Sequence, residues 1–150
     1  MITGWDMAKE DFNFSTKIRV RWAEVDKQGI VFNAHYLSYF DIGITDYYRA
    51  IGHPYYGPFP ETGTDLFLKS ASVEYHFSAE FDDLIDVYMR ICRIGNTSFE
   101  FRAEIYRKDT LLTSGGLIYV NADANSHKPT RVPEFLRSAF LSFEKIRPQE

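Results

Sequence analysis

At 150 residues the chain has the length of a single domain with a real hydrophobic core. A net charge of −4 and a pI near 5.6 exclude the basic footprint of a nucleic-acid partner, and no apolar run of about 18 residues offers a membrane span. The single cysteine, Cys92, excludes an internal disulfide framework and suits a reducing, cytoplasmic setting.

Residues 1–13 carry Asp6, Glu10 and Asp11 and no apolar run, which reads as a loosely ordered lead-in and not a signal peptide. One domain then occupies residues 14–150. Its first element is a half-buried strand in which Ile18, Val20 and Trp22 alternate with Lys17, Arg19 and Arg21, ending at Asp26. Gly29 marks a tight turn, and a long helix begins near Asn33. A helix start presents unpaired N–H groups and the positive end of a dipole. A carboxylate aimed at a carbonyl polarised by such N–H groups is the minimal equipment for acyl hydrolysis.

The helix is drawn over residues 34–51. At about 100° per residue, His35, Ser38, Asp41, Thr45, Asp46 and Arg49 share an arc of about 140°. Tyr36, Leu37, Tyr39, Phe40, Gly43, Ile44, Tyr47, Tyr48, Ala50 and Ile51 fill the rest, so other elements must cover the helix on several sides. Asn33 is a favoured N-cap type, and Gly52 before His53 and Pro54 is a stop signal.

A loop over residues 53–64, rich in Pro, Gly and aromatics, follows the helix and either shapes an acyl pocket or plugs the end of a sheet. Four strands come next. Ala71, Val73, Tyr75 and Phe77 form one alternating series, and Ile85, Val87, Met89 and Ile91 a second. Phe99, Phe101, Ala103 and Ile105 form the third, and the fourth starts near Leu111 and includes residues 117–120. Asp82-Asp83, Gly95-Asn96 and Lys108-Asp109 are short polar turns of the kind that join antiparallel strands. Residues 133–144 read as an amphipathic helix with Phe135, Leu136, Ala139, Phe140 and Phe143 on its apolar side. The 13 Phe, 10 Tyr and 2 Trp, 17% of the chain, suit a β-rich protein with an aromatic-lined cavity or contact.

Strand, long buried helix, four antiparallel strands and a trailing helix make an α+β chain: one curved sheet of about five strands around one helix, the hot-dog fold. The run Asp26-Lys-Gln-Gly29-Ile-Val31-Phe32-Asn33-Ala34-His-Tyr36, with Phe40 and Arg49 downstream, resembles the 4-hydroxybenzoyl-CoA thioesterase family. That family includes the acyl-CoA thioesterases associated with the Tol–Pal system. The resemblance spans residues 14–122.

The resemblance implies hydrolysis of a short-chain, medium-chain or aromatic acyl-CoA, with coenzyme A entering only as part of the substrate and no further cofactor. Asp26 is implied as nucleophile or general base, and the Asn33 backbone N–H as the donor to the thioester carbonyl. Gly29, Val31, Phe32, Ala34 and Tyr36 are implied to line the substrate site. A homodimer or dimer of dimers is implied, joined sheet edge to sheet edge. Its active sites lie at the subunit contact, completed by Asn96, Thr97 and Ser98 of the second subunit. The chain departs from the family pattern at Asn33, where many relatives carry His, and at Asp41 and Ile44, where Glu and Arg are frequent.

Plainer readings stand beside these. Asp before Gly is an ordinary turn residue, and Asn33 an ordinary cap. His35 opens the polar arc and faces solvent. His53 and His76 have no acidic or cysteine partner at metal-ligand spacing, so no metal is expected. Cys92 reads as a small buried hydrophobe. Arg93, Arg102, Arg107 and Lys108 are candidates for coenzyme A phosphates or simply a solvated strand face. A non-catalytic acyl-CoA or acyl-carrier-protein binding module on the same fold is the alternative function, and a dehydratase a weaker one.

Overall fold

The computed structural model describes residues 9–150. Strand β1 (Phe14–Arg19) leads through a loop to helix α1 (His35–Ala50). Four strands follow, β2 (Thr64–Tyr75), β3 (Leu84–Ile94), β4 (Ser98–Arg107) and β5 (Thr110–Asp123), and helix α2 (Glu134–Phe143) closes the order. The strands make one five-stranded antiparallel sheet in the order β1-β3-β4-β5-β2. Curved around α1, this is the expected hot-dog fold.

Period-two alternation sets which sheet face is buried. Ile85, Val87, Met89 and Ile91 of β3 and Phe99, Phe101, Ala103 and Ile105 of β4 are completely buried. They form a core with Tyr39, Phe40, Ile44 and Tyr47 of α1. Two glycines allow the helix to lie this close. A Cβ on Gly43 would stand 2.8 Å from the Val87 Cγ1 atom, and one on Gly115 would stand 2.6 Å from the Phe40 ring. The three polar turns fall between β2 and β3, β3 and β4, and β4 and β5, as their composition predicts.

Several boundaries differ from expectation. β1 stops at Arg19, because the Val20 N–H bonds Asp83 O at 2.9 Å and the chain then folds into a short 3-10 turn, Trp22–Glu24. Trp22 is consequently 73% exposed and packs edge-on against Phe81, so it is not the third inward residue of a strand. The helix N-cap is Ala34 without a side-chain cap bond, not Asn33. On α1, Leu37 and Ala50 are exposed, so the sheet covers one broad side and not the whole remainder of the helix. Phe77 lies beyond the end of β2 and is 63% exposed.

Of the expected lead-in, residues 1–8 lie outside the described residues. Residues 9–13 pack on the domain: Phe12 is buried, and the Asn13 amide donates to Phe143 O at 2.8 Å. At the other terminus, Gln149 pairs with β3, donating to Cys92 O at 2.9 Å while its carbonyl accepts the Ile94 N–H at 2.8 Å. The tail thus extends the sheet edge that β1 leaves short.

Candidate active site

The loop between β1 and α1 is a miniature hairpin. Val25 and Val31 pair antiparallel, the Asp26 N–H donates to Ile30 O at 2.9 Å, and the Gly29 N–H returns to Asp26 O at 3.0 Å. Gly29 sits at φ +80°, a conformation that costs other residues but not glycine. The Gln28 N–H donates to Asp26 Oδ1 at 2.7 Å, so the carboxylate is held by its own turn while its other oxygen has no partner among the described residues. Asp26 is half-buried. It opens onto a cleft of about 630 Å³ shared with Trp22, Val25, Lys27, Gly29 and Phe81. The turn and the chemical reading of Asp26 are therefore compatible.

A buried acid fixes this hairpin to the helix. Glu24 Oε1 accepts the Arg21 N–H at 2.8 Å and the Tyr39 hydroxyl at 2.9 Å, and Oε2 accepts the Arg21 guanidinium. Burial alone would raise the Glu24 pKa, but the Arg21 N–H and guanidinium outweigh it and hold the carboxyl below its ordinary value. The Phe32 N–H donates to Glu24 O at 3.0 Å, and the Val31 N–H to Ala79 O at 2.9 Å. Tyr36, itself buried, accepts the Ala79 N–H on its hydroxyl at 3.0 Å.

The helix start is thus clamped by α1, β2 and the segment before β3. Asn33 uses its carbonyl to accept the Tyr75 hydroxyl at 3.1 Å. The Asn33 and Ala34 N–H groups have no acceptor among the described residues and both residues are exposed. Such N–H pairs at a helix start are ready donors to an anionic oxygen.

The expected site residues fall into three groups within one chain. Asp26 and Gly29 share the cleft. Val31, Phe32, Asn33, Ala34 and Tyr36 gather at the start of α1, where Phe32 is 48% exposed and Val31 buried. Asn96, Thr97 and Ser98 lie at the far end of the sheet. There Asn96 O accepts the Val132 N–H and Thr97 O the Asn121 N–H. Among the coenzyme A candidates, Arg107 is engaged by Asp83 at 2.6 Å. Cys92 is half-buried, and burial followed by the Glu100 carboxylate pushes its thiol up to about 11, which leaves it protonated at physiological pH.

Residues 20–140 match the family described as the thioesterase-like superfamily. The chain belongs to that superfamily. It is 25% identical over 130 residues to the acyl-CoA thioesterase YbgC of Haemophilus influenzae, covering 87% of this chain and 96% of that one. A hypothetical protein from Aquifex aeolicus has the same fold, with a TM-score of 0.78 at 23% identity over 85% of this chain and 98% of the other. So does a 1,4-dihydroxy-2-naphthoyl-CoA thioesterase from Synechocystis, at TM-score 0.75, 18% identity, and 85% and 94% coverage. The family implied by the run around Asp26 is thereby the family found, and its enzyme class is thioesterase.

Sequence reasoning missed two features of this superfamily member. Glu24 caps its own 3-10 turn through Arg21, and only the folded chain brings the Tyr39 hydroxyl of α1 onto it. A second cavity, about 140 Å³, lies between α1, the loop after it, and β2 and β5. The 53–64 loop contributes Tyr55 to that cavity, while its His53 and Phe59 pack on Phe135 of α2. One segment thus both lines that cavity and packs on α2. No helix among the described residues is long and apolar enough to cross a membrane.

Proposed function

We propose that the protein hydrolyses an acyl-CoA thioester, of short-chain, medium-chain or aromatic acyl type, to the free acid and coenzyme A. The observation that carries this reading is that one loop between β1 and α1 holds both the half-buried Asp26 carboxylate, with one oxygen unpartnered, and, at its end, the unpartnered N–H groups of Asn33 and Ala34. Asp26 acts as nucleophile on the carbonyl carbon or takes the proton of the attacking water. The Asn33 N–H donates to the carbonyl oxygen as negative charge builds on it. Thiolate is a good leaving group, so this sparse equipment is enough.

The site is completed by a second copy of the chain. β2 is a long open edge whose residues 68–72 are exposed, with Leu68 and Tyr75 each 52% exposed on the helix side. Such an edge is a template for another strand. An antiparallel join of two β2 edges brings the Leu66 end of one copy beside the Tyr75 and Asn33 end of the other. Ser98 pairs with Val120 and Val120 with Phe67, so residues 96–98 travel with the Leu66 end toward that site. The test is release of free thiol from a panel of acyl-CoAs by the native chain and by Asp26→Ala. Turnover that disappears in the variant while the dimer persists supports the reading; equal turnover removes it, and tight binding without thiol release favours the binding-module alternative.

A further inference from the structure

The cavity of about 140 Å³ is lined by Asp41, Ile44, Thr45, Tyr48, Tyr55, Leu66 and Tyr119. Three phenol rings thus form its walls. Tyr48 and Tyr55 stand 5.7 Å apart at a 39° tilt, and Tyr119 is held flat by stacking on Phe99. The Tyr48 hydroxyl is completely buried and has no hydrogen-bond partner. Tyr55 gives its hydroxyl to Asp65, whose same oxygen also takes the Leu66 N–H at 2.8 Å.

Asp41 is the one formally charged residue in the lining, and no Lys, Arg or His compensates it there. Asp41 lines the cavity together with Tyr119, whose phenol is pushed up to about 12 by burial and then by the Asp41 charge. Burial likewise raises Tyr48 and Tyr55, so all three phenols stay neutral at physiological pH.

Each class of occupant meets this lining differently. A plain hydrocarbon tail leaves the Asp41 carboxylate without a counter-charge, and an anionic tail meets it with like charge. A small organic cation uses both features at once, lying against aromatic faces with a carboxylate at the mouth. A primary ammonium has three N–H donors to place, and Asp41 is the one carboxylate in the lining to take them. A fully methylated ammonium has none to place. A cavity of about 150 Å³ takes one benzene, so this one takes a head of about five or six heavy atoms.

We propose that this cavity is the acyl-selectivity pocket and that it selects an acyl group ending in a quaternary ammonium head. The inference rests on the thioesterase reading above, because the antiparallel join places the Leu66 side of one copy against the Asn33 end of the other. The reaction itself is unchanged: the carbonyl carbon–sulfur bond breaks, water supplies the new oxygen, and the cationic head takes no covalent part.

The test compares trimethylammonioacyl-CoAs of increasing chain length with their uncharged tert-butyl isosteres, reading free thiol. At the chain length that fits, the cationic member is expected to lead by about tenfold or more in kcat/KM. Asp41→Asn, which removes the one formal charge of the lining, is expected to bring that ratio toward one. Equal rates for the two isosteres, a ratio favouring the neutral member, or a ratio unmoved in Asp41→Asn overturns the proposal and leaves the thioesterase reading standing. Binding of choline, beside its uncharged dimethylbutanol isostere, is read separately by saturation-transfer NMR. Choline signals lost in Asp41→Asn support the pocket even if no thioester is turned over; equal signals from both alcohols overturn it.

Discussion

Glu104→Gln is the sharpest energetic test of the sheet's outer face. Glu104 sits on β4, completely buried, with Oε1 accepting the Tyr106 hydroxyl at 2.7 Å and Oε2 without a partner. Burial, only partly offset by Tyr106 and by the charges of Arg102 and Arg90, raises its pKa from 4.5 to about 7. A carboxyl whose folded pKa lies above its unfolded one penalises the fold only where it must ionise. The penalty is absent at low pH, grows as pH rises through the unfolded value, and is complete above the folded one. Those two values give a penalty of about 1 kcal/mol at pH 5 and about 3 kcal/mol at pH 8.

Glutamine cannot ionise, so the substitution removes the penalty at both pH values. Any cost of seating the amide is the same at each pH and cancels in the difference. Urea unfolding of both proteins is expected to show a gain for the variant larger by about 2 kcal/mol at pH 8 than at pH 5. Thermal unfolding should echo this with a difference of about 5–10 °C in the shift of Tm. A gain equal at the two pH values would refute the burial argument.

Two further outcomes follow from the packing. Gly115→Ala would drive its Cβ to 2.6 Å from the Phe40 ring and 2.7 Å from the Ser72 carbonyl, neither free to withdraw, so a loss of about 1–3 kcal/mol in urea unfolding is expected. An unchanged midpoint would show that the helix does not lie so close to the sheet. Leu68→Asp places a charge on the open edge of β2 at a residue 52% exposed in the single chain. Light scattering should report a monomer with an unchanged circular dichroism spectrum and no thioester turnover; a persistent dimer would move the subunit contact elsewhere.

The parts legible in the sequence are those set by short-range periodicity. The alternation of β3 and β4 maps residue by residue onto their buried face, because both strands are central and flanked on both sides. Alternation in β2 is just as clear, yet Ala71 and Tyr75 are exposed, since an edge strand reaches past the helix that would cover it. The boundaries around Asp26 differ from the sequence expectation for a different reason. Glu24 caps a 3-10 turn there through Arg21 and also holds Tyr39, while Asn33 gives its carbonyl to Tyr75, and the Tyr39 and Tyr75 contacts have no local trace. Tyr48 falls outside the polar arc of the helix, and only the folded chain shows it sharing a cavity with Tyr119 and Asp41.

The two borders of the sheet are unequal, and that inequality limits growth. One is occupied by β1 with Lys17 and Arg19 pointing outward, then by the strand-like contact of Gln149. The other is bare. An isologous union of two bare borders uses up both at once, leaving only the charged, tail-blocked sides on the outside. A fibre needs every subunit to offer two sticky borders, and this protein offers one.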